Sequence, residues 1–183
     1  MSALTGPCQL DPDQMEATLR RLAGEVAGAL GAEESLVLLG IRSRGLPLAE
    51  RLGGLLQENL KRAVPVGALD ITLYRDDLTE KAGAPIVRPT EIPFPLKERT
   101  VVLVDDVLYT GRTIRSAMDA LLDFGRPNRV LLAVLVDRGG RELPIQADFV
   151  GTKLAVAWDQ RISVRVRELD GEDGVYLESR SQS

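Results

Sequence analysis

Apolar residues fall into two alternating kinds of segment along this chain. Met15, Leu19, Leu22, Val26 and Leu30 recur at three- or four-residue intervals before Gly31, which predicts an amphipathic helix over residues 13–31. Residues 36–41 (LVLLGI) are instead apolar without a break, the pattern of a strand buried on both faces. They stop at Arg42-Ser43-Arg44-Gly45. Leu48, Leu52, Leu55, Leu56 and Leu60 then mark a second helix over residues 46–62, with Pro47 tolerated in its first turn. Residues 64–74 (VPVGALDITLY) read as a strand, and residues 101–104 (VVLV) and 129–136 as two more buried strands. Between those two, residues 111–124 read as a helix stopped by Gly125 and Pro127. Helices alternating with continuous apolar strands predict an α/β fold: a central, mostly parallel sheet with helices on both faces, binding ligands at the carboxyl ends of its strands.

Three segments depart from this rhythm. Residues 1–12 lack a pattern and are expected to pack loosely. Residues 75–95 carry four prolines and two acidic–basic clusters, and predict a long mobile loop or extended hairpin of the kind that is commonly functional. Residues 147–178 hold short strand patterns without a good helix, which predicts a small β subdomain, a hood, beside the sheet. The whole chain, 1–183, is expected to form a single domain.

Composition narrows the chemistry. The chain has no histidine and one cysteine, Cys8, so an internal disulfide, a structural zinc site and a Ser–His or Cys–His dyad are excluded. Catalysis must run on carboxylates, hydroxyls, Arg or Lys and backbone amides, with or without a hard metal ion. The longest apolar run, residues 130–136, is far too short to span a bilayer, and the N-terminus lacks a signal-peptide pattern, so a cytoplasmic protein without membrane partners is expected. Net charge is −4, against the positive balance usual in dedicated nucleic-acid binders.

Each apolar strand ends abruptly in a polar turn: residues 42–45, 105–113 and 137–140. The middle turn is the most informative. Asp105 and Asp106 follow the strand, and Thr110, Gly111, Arg112 and Thr113 open a helix, placing hydroxyls and backbone N–H groups at its positive end. Such a cradle suits a phosphate, with the carboxylates suited to sugar hydroxyls or to helping hold magnesium. A plain helix cap with incidental acids is the competing explanation of the spacing.

Residues 101–113 (VVLVDDVLYTGRT) resemble the phosphoribosyl pyrophosphate (PRPP) signature of type I phosphoribosyltransferases. Residues 40–45 (GIRSRG), 70–78 (DITLYRDDL), 119–127, 133–139 (AVLVDRG) and 141–151 further resemble the pyrimidine-operon regulators, the PyrR family. The resemblance implies the type I phosphoribosyltransferase fold with a C-terminal hood, and a uracil phosphoribosyltransferase that forms UMP and pyrophosphate from uracil and PRPP with Mg²⁺. It also implies a UMP- or UTP-sensing regulator that binds pyrimidine mRNA leaders, and a homodimer or higher homo-oligomer. By the same resemblance, Thr110–Thr113 hold the 5′-phosphate, with Val107, Leu108 and Tyr109 leading into that loop. Asp105 and Asp106 meet the ribose hydroxyls and touch the metal only through PRPP. Ser43, Arg44 and Gly45 bind pyrophosphate, Arg75 reaches it from the lid, and Arg138 and Ile162 serve the base. Tyr109 stands where purine-salvage relatives carry Asp, which matches the pyrimidine branch.

The chain also departs from the RNA-binding members. Gly24 and Gly140 replace histidines, Gln146 an arginine, and Val156 a polar residue on one face, while Arg141 is retained. Arg161, Arg165 and Arg167 alternate with Ile162, Val164 and Val166, spacing positive charge at about 7 Å, near the phosphate spacing of a nucleic acid, although a half-buried strand with a solvated outer face explains it better. Asp76 and Asp77 are expected to be solvated, and Trp158 to pack within the hood.

Overall fold

The computed structural model describes residues 6–31, 34–76 and 87–179. Strand β1 (Cys8–Leu10) leads into helix α1 (Pro12–Gly28), and β2 (Leu36–Ile41) into α2 (Gly45–Leu60). After β3 (Val66–Leu69) and a 3-10 turn (Thr72–Tyr74) come β4 (Thr100–Leu108), α3 (Arg112–Leu122) and β5 (Arg129–Asp137). The chain closes through β6 (Phe149–Lys153), β7 (Gln160–Arg165), the one-turn helix α4 (Arg167–Asp170) and β8 (Gly174–Ser179).

Five strands form a parallel sheet in the order β3-β2-β4-β5-β6. Alternation along its strands divides two cores. Leu36, Leu38, Val102 and Val104 pack against α1 and α2 through Leu19, Leu22, Leu48 and Leu52. Val37, Leu39, Val101 and Leu103 face the other way, onto Ile114, Ala117 and Leu121 of α3. The unbroken apolar runs of the sequence are thus strands covered on both faces. Helix α1 starts at a reciprocal cap: Gln14 N–H donates to the Asp11 carboxylate at 2.8 Å, and Asp11 N–H to the Gln14 side chain at 3.0 Å.

Four sequence expectations are corrected. First, β4 does not turn after Val104. It continues through Asp105 and Asp106 to Leu108, because β5 runs equally far and pairs Asp105, Val107 and Leu108 with Val134, Val136 and Asp137. Second, β3 ends at Leu69 rather than Tyr74, because the Asp70 carboxylate accepts the N–H groups of Thr72 and Arg88, each at 2.7 Å, and bends the chain. Third, residues 8–10 are not loosely packed: β1 pairs with β8. Fourth, the hood is smaller than residues 147–178. Strand β6 belongs to the main sheet, and the separate unit is the antiparallel sheet β1-β8-β7 with α4. Of the 75–95 loop, residues 77–86 lie outside the described residues, while Glu91 is bridged to Ala68 by two backbone hydrogen bonds of 2.8 Å. Among the described residues no helix is long and apolar enough to cross a membrane.

Helix α4 is fastened to α2 by charge. Arg51 donates to Glu168 at 2.8 and 2.6 Å and to Asp173 at 2.7 Å, and Arg167 donates to Asp173 from its backbone N–H and from Nε, both at 2.8 Å. Burial by itself would raise the Asp173 pKa. The hydrogen bonds from Arg51 and Arg167 overcome that and hold it at about 2, below its ordinary 3.8. A carboxylate depressed in this way contributes stability at pH values above 3.8, which is lost as the pH falls towards 2. Chemical denaturation at pH 5 and at pH 3 is therefore expected to show Asp173→Asn losing on the order of 1–2 kcal/mol less between the two conditions than the wild type.

Candidate functional site

The three polar turns meet at one edge, because they follow the adjacent parallel strands β2, β4 and β5. Residues 42–45 join β2 to α2, with Gly45 buried, Ser43 exposed and Arg44 half-buried at the helix N-cap. The peptide bond between Arg42 and Ser43 is cis. Ser43 Oγ receives a 3.4 Å contact from Arg88 Nη1, and Arg44 is drawn to Asp170 of α4, at 3.2 Å from Nε and 2.8 Å from Nη2.

The acid pair lies at the end of β4. Asp105 is 5% exposed, and Asp106 is half-buried. Burial raises the Asp105 pKa well above its ordinary value, and the neighbouring Asp106 charge raises it further. The Asp105 carboxylate accepts the Asp106 N–H and the Asp106 carboxylate accepts the Val107 N–H, each at 2.9 Å. Among the described residues no cluster of three or more metal-ligating side chains exists. Two adjacent carboxylates suit the hydroxyls of a sugar, or a divalent cation shared with a bound anion, rather than an all-protein metal cage.

The loop leaving β4 is shaped by glycine. Gly111 caps α3 with φ +93° and offers no side-chain acceptor, so the N–H groups of the first turn remain directed at the space before the helix. Thr110 Oγ1 accepts the Arg112 N–H at 3.3 Å, and Thr113 is half-buried in that first turn. The Arg112 side chain points away from this cradle, to Asp76 at 2.6 Å and Glu142 at 2.8 Å. Asp76 is therefore an ion-pair partner rather than a simply solvated acid.

After β5, Arg138 is 9% exposed. Its guanidinium carbon lies 3.9 Å from the centre of the Tyr109 ring, and Nη2 donates to the carbonyls of Ala157 and Gln160, at 3.2 and 3.0 Å. Arg138 thus ties the start of β7, where Ile162 is half-buried against the core, to the loop leaving β4. Gly140 makes room for this stack. At φ +75°, a Cβ there would lie 2.6 Å from the Tyr109 ring. Arg75 directly follows the 3-10 turn and is half-buried.

Several expected contacts take other forms. Arg141 spends its donors internally, on the carbonyls of Ile145 and Tyr109, both at 2.9 Å, and on Asp137 at 2.7 Å. The arginine stripe is neither continuous nor uncompensated. Strand β7 ends at Arg165; Arg161 pairs with Glu178, Arg165 with Glu172 and Glu178, and Arg167 with Asp173. Trp158 does not pack within the hood but is 80% exposed. Gly24, Gly140 and Gln146 are exposed and Val156 is half-buried. Asp170 and Glu142 had no sequence signal as site neighbours. The acidic run at residues 168–173 is visible, but the partners of Asp170 and Glu168, Arg44 and Arg51, lie more than a hundred residues away.

The phosphoribosyl transferase domain family matches residues 9–167. The chain is 56% identical to the Bifunctional protein PyrR of a Roseiflexus species over 169 residues, covering 92% of each chain. It is 54% identical to those of Pelotomaculum thermopropionicum and Thermus thermophilus, covering 92% of this chain and 93% of each relative. The chain belongs to the PyrR family. Among solved structures, the fold is similar to the hypoxanthine phosphoribosyltransferases of Trypanosoma cruzi and Staphylococcus aureus. Their TM-scores are 0.71 and 0.68, their identities 16% and 17%, and coverage spans 96% of this chain and 97% and 96% of theirs. The α/β architecture with its central parallel sheet is that of this phosphoribosyltransferase fold.

In this PyrR-family chain the buried Asp105 works against stability. A carboxyl whose folded pKa lies above its unfolded value costs increasingly more as pH rises from about 4. Asp105→Asn keeps the acceptor for the Asp106 N–H and removes the charge. Thermal denaturation of the unliganded protein is expected to show a Tm higher by roughly 2–4 °C at pH 8, a gain of about 1 kcal/mol that fades towards pH 4.

Proposed function

We propose that this protein is a Mg²⁺-dependent uracil phosphoribosyltransferase that forms UMP and pyrophosphate from uracil and PRPP, in the cytoplasm and as a homodimer or higher homo-oligomer. The observation that carries this reading is the cradle of Thr110–Thr113 at the N-terminus of α3, directly after the Asp105–Asp106 pair, in a chain more than half identical to PyrR proteins. Backbone N–H groups of the first turn and the Thr110 and Thr113 hydroxyls bind the 5′-phosphate. Asp105 and Asp106 accept hydrogen bonds from the ribose hydroxyls, and Asp106, the more exposed of the two, faces the positive charge that develops on the sugar as its bond to pyrophosphate breaks. The turn at Ser43, Arg44 and Gly45 holds the departing pyrophosphate, together with Arg75. Asp105 and Asp106 would help hold magnesium only indirectly, through PRPP, and the ion would supply charge compensation on the departing pyrophosphate. Arg138 and the main chain at Ile162 recognise the base, and the Arg138–Tyr109 stack fills the position where a purine-directed acid would stand.

Purified protein given uracil, PRPP and Mg²⁺ is expected to release UMP, with no turnover of hypoxanthine or guanine; equal use of a purine refutes the pyrimidine assignment. Thr113→Ala is expected to raise the PRPP KM about tenfold or more with a folded protein, by loss of one hydroxyl contact to phosphate.

A second reading is favoured by the word "bifunctional" in the names of the relatives: a UMP- or UTP-sensing regulator that binds a pyrimidine mRNA leader. Gly24, Gly140, Gln146 and Val156 weigh against it, as do the internal bonds of Arg141 and the carboxylate partners of Arg161, Arg165 and Arg167. Binding to a family leader hairpin is expected to be about 10²-fold weaker than for a relative with the usual residues, equal to roughly 3 kcal/mol. A fluorescence titration at fixed salt, against matched and scrambled hairpins, measures this. Nanomolar, UMP-enhanced, sequence-specific binding would establish the regulator role.

A further inference from the structure

The turn at residues 42–45 is not fixed by its own helix. Arg44 caps α2 with a side chain that makes no cap hydrogen bond, and the first turn of α2 has no acidic residue. Within the turn, Arg42 has a buried Nε without an acceptor, and Arg42 Nη2 reaches Glu91 only at 3.2 Å. The firm attachment comes from a distant element: Arg44 makes a two-point ion pair with Asp170, of which Arg44 is 38% and Asp170 20% exposed.

Asp170 is itself held in place. Its Oδ2 accepts the Val166 N–H at 3.0 Å, and its N–H donates to the Val166 carbonyl at 2.8 Å. Helix α4 is anchored independently of Arg44, through Arg51 on Glu168 and Asp173 and through Arg167 on Asp173. A short helix secured by one arginine of α2 thus presents a carboxylate to a second arginine at the head of the same helix. Two donors of the Arg44 guanidinium are spent on Asp170, so this side chain braces the turn and leaves the anion to the backbone N–H groups around it.

We propose that Asp170 is a positioning residue for pyrophosphate: by holding Arg44 it sets the shape of the turn at residues 42–45 before the anion arrives. The proposal rests on the reading of that turn as the pyrophosphate site. The hood and the leaving-group site are then joined by one ion pair, and the carboxylate acts through Arg44 rather than on the ligand.

Calorimetric titration of the full-length protein with inorganic pyrophosphate and Mg²⁺, and separately with UMP, tests this. Asp170→Asn is expected to weaken pyrophosphate binding about tenfold while UMP affinity stays within twofold. Arg44→Lys, which keeps the charge but cannot make the two-point pair, is expected to weaken it similarly. In an Arg44→Ala background, Asp170→Asn should add nothing. Unchanged pyrophosphate affinity in Asp170→Asn or Arg44→Lys overturns the proposal. Tighter binding in Asp170→Asn also overturns it, by revealing the carboxylate as a competitor for Arg44. A wild type that binds UMP but no pyrophosphate instead overturns the assignment of the turn, and the proposal with it.

Discussion

Strand β4 is the middle of the parallel sheet and must be apolar on both faces, yet near its end it carries two carboxylates, the first of which, Asp105, is still part of its ladder with β5. The pairing of Asp105 with Val134 satisfies the backbone but leaves a buried acid beside a second acid, and that burial is what lifts its pKa. The surrounding structure is arranged about this point. Gly45, at the head of α2, lies so close to the Val104 carbonyl that no side chain fits, which brings the first polar turn against the root of the acid pair. On the other side, β5 delivers Arg138 to the Tyr109 ring. A sheet built for burial thus carries at this edge an acid whose charged form its surroundings disfavour.

The arginines at this edge are balanced by acids. Arg42 faces Glu91, Arg44 faces Asp170, Arg112 lies between Asp76 and Glu142, and Arg141 faces Asp137. These partners come from different parts of the chain, so the ion pairs also lash the hood and the loops to the sheet. The exposed pairs among them, Arg112 with Asp76 and Glu142, contribute little each to stability, and their value here is geometric. Arg138 differs: its guanidinium is covered by an aromatic ring and by two main-chain carbonyls instead of a carboxylate.

The sheet and its helices were legible in the sequence because a period of three to four and unbroken apolar runs report directly on burial. The cradle at Thr110–Thr113 was legible because its chemistry is local: two acids, a glycine at positive φ and two hydroxyls within nine residues. What could not be read was set by which groups meet in space. Residues 64–74 look strand-like throughout, and only the Asp70 carboxylate capping Thr72 and Arg88 shows why the strand stops. The arginine alternation at residues 161–167 looks like a basic stripe until the facing acids Glu172, Asp173 and Glu178 are seen. Strand β6 carries the same kind of pattern as the hood strands, and only its parallel register with β5 assigns it to the main sheet.

The pairing of Arg42, Arg44, Arg112 and Arg141 with carboxylates has a kinetic consequence. A cleft with uncompensated arginines would pull a polyanion in from several ångströms away and would lose that pull in salt. Here the positive and negative ends of each pair lie within 3.2 Å of one another, so these four arginines add little unpaired charge to the long-range field. On the reading proposed above, a phosphorylated ligand would be drawn to these four arginines less strongly than to unpaired ones, and its association would depend correspondingly less on ionic strength.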